Sequence, residues 1–156
     1  MKTTKYRGDR DEARALGAYV KLMRAAESVL ARATRHLRKE GITVSQFGVM
    51  DALYHLGPLS QREVASKVLR TSGNMTMVVD NLVKRGLVER DRSEEDRRVY
   101  RLSLSSRGSR LMEKLFPRHA AIIEQEMSIL TPQEQETLSR LCRSLGLGNR
   151  GKDKEE

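Results

Sequence analysis

The feature that most limits how this chain folds is an apolar seam near its start: Leu16, Met23, Leu30 and Leu37 recur every seven residues, with Tyr19, Ala26 and Ala33 three residues after the first three. Such spacing is a heptad-like stripe on a helix. A helix of roughly 28 residues between about Asp11 and Glu40 would be about 42 Å long, more than a small domain needs to close its own core. It therefore calls for a partner surface. With 156 residues, 38% of them apolar, the chain has material for a single compact domain and is not of the low-hydrophobicity kind that stays unfolded. No apolar run reaches the ~18 residues of a membrane span, the first residues lack a signal-peptide apolar region, and one cysteine forms no internal disulfide. A cytoplasmic protein with no membrane partner is expected.

The chain carries 30 Lys and Arg against 21 Asp and Glu, a formal charge of +9, which points to a polyanionic partner. The excess is uneven. Residues 1–40 hold 11 basic and 5 acidic side chains, whereas residues 87–104 hold 5 of each. No block has the five or six consecutive like charges of a basic nucleic-acid arm.

After Gly41, Thr43-x-x-Gln46 has the form of a capping box and opens a helix presenting Phe47, Met50, Leu53 and Tyr54, which Gly57-Pro58 ends. Ser60-x-x-Glu63 is a second box, opening a short helix whose apolar positions are Val64, Ala65 and Val68. A turn at Leu69 and Arg70 leads to a helix from about Ser72 to Arg85. Its core face is Met75, Val78, Val79 and Leu82, and its outer face is Asn74, Thr76, Met77, Asn81 and Lys84. Gly86 is placed to close it.

The apolar period then changes from helical to alternating. Leu87–Arg90 and Val99–Leu104 read as two strands around a charged loop holding Glu94, Glu95, Asp96, Arg97 and Arg98. Ser105 caps a helix to about Ser128 in which Pro117 is expected to cause a kink. Thr131-Pro132-x-Glu134 starts a final helix to about Leu145. The fold class is mainly α with a small β-hairpin, and the middle of the chain has the layout of a winged helix-turn-helix. Its physics suits double-stranded DNA: the major groove admits one helix, small polar side chains such as Ser72, Asn74 and Thr76 reach base edges or phosphates, and an arginine-tipped wing suits the narrow minor groove.

Gly57-Pro58-Leu59-Ser60, the run Val78 to Val88, Asp96-Arg97-Arg98 and the run Leu102 to Gly108 occur in that order, with a long helix before them and two helices after. Over residues 12–146 this arrangement resembles the MarR family of bacterial transcription regulators. The resemblance implies a homodimeric, sequence-specific regulator, in most cases a repressor, on a pseudopalindromic operator. Residues 1–10 are then a flexible arm, 11–40 the first dimerisation helix, 41–104 the DNA-binding region, 105–147 the C-terminal dimerisation helices and 148–156 a disordered tail.

By the same resemblance DNA is met by Ser60, Gln61, Ser72, Asn74, Thr76, Met77, Lys84, Arg97 and Arg98, with Arg97 in the minor groove and Asp96 bracing the wing. The chain departs from the pattern at Met77, which offers only an apolar contact such as one to a thymine methyl. Dimerisation falls to Leu16, Tyr19, Met23, Ile122, Ile123, Leu138, Leu141 and Leu145. A small acidic or phenolic effector is expected in a pocket including Met23, Met50, Tyr54 and Met112.

Plainer readings stand beside these. Arg97 and Arg98 also suit pairing with Glu94 and Glu95, the four methionine and tyrosine positions also suit a core, and the basic cluster Arg32, Arg35, Arg38 and Lys39 also suits a helix C-terminus. Cys142, on the stripe of Leu138, Leu141 and Leu145, reads as a buried structural thiol. His36, His55 and His119 lack metal-ligand spacing, and no nucleophile, phosphate or dinucleotide motif is present, so no metal, cofactor or catalysis is expected. The competing reading is a winged-helix architectural or protein-interaction module without operator specificity.

Overall fold

The computed structural model describes residues 8–68, 74–93 and 99–148. Its elements are helix α1 (Arg10–Ala33), a 3-10 helix (Arg35–Glu40), α2 (Val44–Leu56), strand β1 (Leu59–Ser60), α3 (Gln61–Lys67), α4 (Met75–Lys84), β2 (Val88–Arg92), β3 (Tyr100–Leu104), α5 (Ser106–Met127) and α6 (Pro132–Leu147). Complete capping boxes start α1 at Asp9 and Glu12, α2 at Thr43 and Gln46, α3 at Ser60 and Glu63, and α6 at Thr131 and Glu134. Each such cap contributes about 1 kcal/mol of local stability.

The long first helix is shorter than its seam implies. The α-helix ends at Ala33, and the chain continues from Arg35 to Glu40 as a 3-10 helix. Thr34 Oγ1 donates to the Leu30 carbonyl at 2.7 Å, beside the last α-helical bond from Thr34 N, and His36 Nδ1 donates to the Ala33 carbonyl at 2.9 Å, so side chains bond the final carbonyls of α1. The tighter turn brings Leu37 into the core, whereas Leu16, Tyr19 and Met23 remain exposed in the single chain. One seam thus serves two different surfaces.

The hairpin gains a third strand. Leu59 and Ser60 pair antiparallel with Leu102 and Arg101, giving the sheet order β1-β3-β2, while β2 pairs with β3 in register from Val88 opposite Leu104 to Arg92 opposite Tyr100. Around this sheet Leu37, Phe47, Val49, Met50, Leu53, Val64, Val79, Leu82, Leu87, Leu102, Met112 and Leu115 form one buried cluster. Ala65, by contrast, is exposed on α3. α5 continues as one helix through Pro117.

The first turn of α5 presses on the backbone leaving α4. Gly86, at φ 67°, closes α4 as expected. Ser105 N donates to the Leu87 carbonyl at 3.1 Å and its hydroxyl to the Gly86 carbonyl at 2.6 Å. A Cβ on Gly108 would lie 2.0 Å from the Leu87 carbonyl oxygen. Only glycine admits that approach.

α6 has no buried residue, and Leu138, Leu141 and Leu145 are exposed on it. Cys142 is exposed as well, contrary to the reading of a buried thiol, because no described residue covers the stripe it shares. No helix among the described residues is long and apolar enough to cross a membrane.

Where the 3-10 helix meets α2 and α5, the His119 ring packs on Phe47 at 4.7 Å and on His36 at 5.4 Å between centroids. Burial first, and then the neighbouring His36, lower the pKa of His119 from the usual 6.5, against the opposing pull of Asp51 and the Ala33 carbonyl. Folding therefore favours its neutral form.

Two consequences can be measured. Gly108→Ala should destabilise the fold by about 2 to 3 kcal/mol, seen as a fall in Tm of roughly 5–10 °C; an unchanged Tm would remove the close contact from the stability of the fold. Below pH 6.5 the unfolded chain binds more protons at His119 than the folded one, so the stability contributed there is complete above pH 6.5 and lost as pH falls through the lowered folded pKa. Urea titrations of His119→Gln should then show less stability lost on acidification than wild type, and parallel losses would exclude the histidine as the cause.

Candidate nucleic-acid interface

The two helices of the helix-turn-helix are tied together at the end that would meet DNA. Ser60 caps α3, its hydroxyl accepting from Glu63 N while the Glu63 carboxylate accepts from Ser60 N at 2.7 Å. Hydrogen bonding of that carboxylate by the Ser60 N–H first, and then by the Ser60 side chain, holds the Glu63 carboxyl below its ordinary pKa. Gln61, in the first turn of α3, donates from Nε2 to Thr76 Oγ1 at 2.8 Å. That bond spans α3 and α4.

α4 begins at Met75, later than the expected start near Ser72, and Asn74 is its N-cap: Oδ1 accepts from Thr76 N at 2.9 Å. The amide oxygen of Asn74 is thus engaged by the helix, leaving its amide N–H groups to face outward. Thr76 is exposed, Met77 is 71% exposed, and Lys84 is exposed in the last turn. Val79 and Leu82 are buried on the other face, with Met75 and Val78 partly buried beside them. Ser72, Asp96, Arg97 and Arg98 lie outside the described residues.

Several polar residues that hold α4 were not singled out from the sequence. Asn81, read as part of the outer face, turns its side chain toward α2, where Oδ1 accepts from Gln46 Nε2 at 2.7 Å. Arg85 donates to the Gly41 carbonyl at 2.9 Å and to Gln46 Oε1 at 3.2 Å, and Arg107 donates to the Arg85 carbonyl at 3.1 Å. Arg90 on β2 donates to Asp80 Oδ1 at 2.6 Å, joining α4 to the sheet. A glutamine at the third position of a capping box is the one sequence cue for this network, and it does not disclose Asn81 or Arg85. Between α3, the start of α4 and the strands lies an open depression of about 670 Å³, lined in part by Arg62, Arg90 and Tyr100. Its two arginines add cationic groups beside Ser60, Gln61 and Thr76.

The residues expected to form an effector pocket are not gathered into one cavity. Met50 and Met112 are fully buried in the core, Tyr54 is 37% exposed and packs on His55 and Phe116, and Met23 lies on the exposed stripe of α1. A cleft of about 510 Å³ is instead lined by Asp51 of α2, by Phe116, His119, Ala120, Ile123, Glu124 and Met127 of α5, and by Gln135 of α6. Of the expected dimerisation residues, Leu16, Tyr19, Met23, Leu138, Leu141 and Leu145 are exposed in the single chain, and Ile122 and Ile123 are half-buried. Among the described residues no group of His, Cys, Asp and Glu is arranged to hold a metal ion.

Comparison with known proteins agrees with this geometry. Residues 42–100 match the model of the MarR family. The HTH-type transcriptional regulator MhqR of Bacillus subtilis is 33% identical over 134 residues, covering 86% of this chain and 92% of MhqR. Among solved structures, Sco3205, a MarR family transcriptional regulator from Streptomyces coelicolor in complex with DNA, aligns with a TM-score of 0.78 at 21% identity, over 97% of this chain and 96% of that one. Bordetella bronchiseptica BpsR, whose DNA binding is regulated by 6-hydroxynicotinic acid, aligns with a TM-score of 0.72 at 24% identity, over 81% and 91%. A winged sheet, a recognition helix with an exposed first turn and relatives matched over most of their length place the chain in the MarR family, as a DNA-binding transcriptional regulator.

Proposed function

We propose that this regulator works as a homodimeric repressor in the cytoplasm, binding a pseudopalindromic operator without catalysing a reaction and releasing it when a small molecule occupies the cleft between α2 and α5. The observation that carries the dimer is an imbalance of burial. The winged part closes its core together with Leu37, Met112 and Leu115, whereas α1 and α6 leave Leu16, Tyr19, Met23, Leu138, Leu141 and Leu145 exposed among the described residues. Burying each leucine would stabilise an assembly by about 1.5 to 3 kcal/mol before the cost of association. A second copy with the same stripe is the simplest cover, because a two-fold interface is self-complementary.

On DNA, the reading assigns the first turn of α4 to the major groove, with Asn74, Thr76 and Met77 at base edges and Ser60, Gln61, Ser72 and Lys84 at phosphates. Arg97 enters the minor groove, Arg98 meets phosphate or braces the wing, and Asp96 supports it. The Gln61–Thr76 bond supports this division, since it holds the two helices in one register. The BpsR comparison supports a small-molecule effector, and the cleft supports its location. Whether that effector is acidic or phenolic, as the resemblance implies, turns on the groups that line the cleft.

Leu138→Asp combined with Leu141→Asp should yield a monomer in sedimentation equilibrium at micromolar concentration and abolish tight operator binding; a wild-type monomer under the same conditions would overturn the dimer. Arg97→Ala should weaken binding and lower the slope of log K against log salt by about one, read by fluorescence anisotropy, and an unchanged slope would remove Arg97 from the DNA. Asn74→Ser retains an oxygen for the cap while removing the amide. It should keep the wild-type Tm yet cost about 1 to 3 kcal/mol on the cognate site and less on random DNA. Equal losses on both DNAs would make Asn74 a backbone contact.

A further inference from the structure

The cleft between α2 and α5 is lined by two carboxylates and by no lysine or arginine. Of its lining residues only His119 and Gln135 have side chains able to donate. Gln135 Nε2 donates to the Met127 and Leu130 carbonyls, both at 3.1 Å, closing the end of α5. His119 Nδ1 is buried with no hydrogen-bond partner, and burial of the ring favours its neutral form. Asp51 Oδ1 likewise accepts no hydrogen bond, lying at ion-pair distance, 3.4 Å, from His55 Nε2 on a side chain that is partly exposed. Behind His119, His36 donates from Nδ1 to the Ala33 carbonyl, and its Nε2 is a further buried atom without a hydrogen-bond partner.

Three buried polar atoms at one junction thus make no hydrogen bond, whereas buried polar groups are nearly always satisfied. The charge has the same bias. Asp51 and Glu124 line the cleft, no lysine or arginine does, and burial keeps His119 neutral. The remaining walls, Phe116, Ala120, Ile123 and Met127, are apolar, with an aromatic ring suited to a cation.

We infer that the cleft is a binding site for a small aromatic or alkyl cation bearing N–H donors, an amine or amidine, and that it discriminates against carboxylates. A carboxylate would set negative charge against Asp51 and Glu124 and supply no donor to Asp51 Oδ1. A neutral hydroxyl would meet one acceptor without answering the charge. The class assigned here rests on the reading of this cleft as the effector site only for its link to DNA release, not for binding itself.

The test is calorimetric titration of the full-length protein with three probes of similar size: benzamidine, benzyl alcohol and benzoate. Operator release by each is followed separately by fluorescence anisotropy. Benzamidine should bind most tightly and benzoate not at all. Asp51→Asn should weaken benzamidine about tenfold or more, as loss of a charged hydrogen-bond partner does. Should that variant fail to fold by circular dichroism, Glu124→Gln at the rim should still weaken binding by about two- to fivefold, in keeping with a more exposed charge.

Benzoate binding in preference to benzamidine, equal binding of benzyl alcohol, absence of binding by benzamidine, or unchanged affinity in both variants would each overturn the inference. Benzamidine that binds as expected yet leaves operator affinity unchanged would uphold the ligand class and overturn the effector role of the cleft.

Discussion

The contact between the first turn of α5 and the backbone at Gly86 and Leu87 is the joint on which the rest of the structure depends. Three elements meet there: the end of α4, the start of β2 and the helix that carries the cleft. Ser105 accepts from Gly108 N and donates to Gly86, so a single hydroxyl satisfies groups from both sides of the joint. Because the separation is set by backbone against backbone, no side-chain rotation relaxes it. The direction of α5 is therefore fixed relative to the recognition helix, and whatever packs along α5 inherits that direction.

A second set of constraints acts on α4 from the opposite side. The Gln46–Asn81 bond and the two bonds from Arg85 attach the C-terminal half of α4 to α2 and to the turn before it, while the Gln61–Thr76 bond attaches its first turn to α3. The buried apolar face sets the depth at which α4 sits, and these polar bonds set its rotation. α2 also supplies Asp51 to the cleft, so one helix borders both the ligand-sized space and the element aimed at DNA. Proximity of this kind makes coupling between the two physically direct.

Much of this was legible in the residues. The capping boxes at Thr43 and Ser60, the proline-led start at Thr131, the change of period after Gly86 and the strand ending at Leu104 each have a local cause, and each appears in the structure close to its expected place. What was not legible depends on partners distant in sequence. The break at Thr34 leaves the apolar spacing intact, since Ala33 and Leu37 continue the seam. β1 is two residues long, too short to show a period, and exists only because β3 offers it an edge. Asn81 looks like an outward polar residue until Gln46, 35 positions earlier, is placed opposite it. The buried polar atoms without a hydrogen bond at the cleft come from positions 51 and 119, with His36 behind them, and no spacing in the chain relates the three. The exposure of Cys142 follows the same logic: a stripe reveals that it needs cover, not whether the cover lies in the same chain.

The change of helix type at Thr34 has a mechanical meaning. α1 is a rod of 24 residues, about 36 Å long, rooted at one end where Ala33 and Leu37 are buried and free of the core along the rest of its length. A rod held in this way is a lever. A tilt of about 5° at its root displaces the far tip by about 3 Å, close to the rise of one base pair along duplex DNA. Small repacking around His36 is thereby magnified along the rod, and the gain of that lever is set by the length of the helix beyond the residue at which it is pinned.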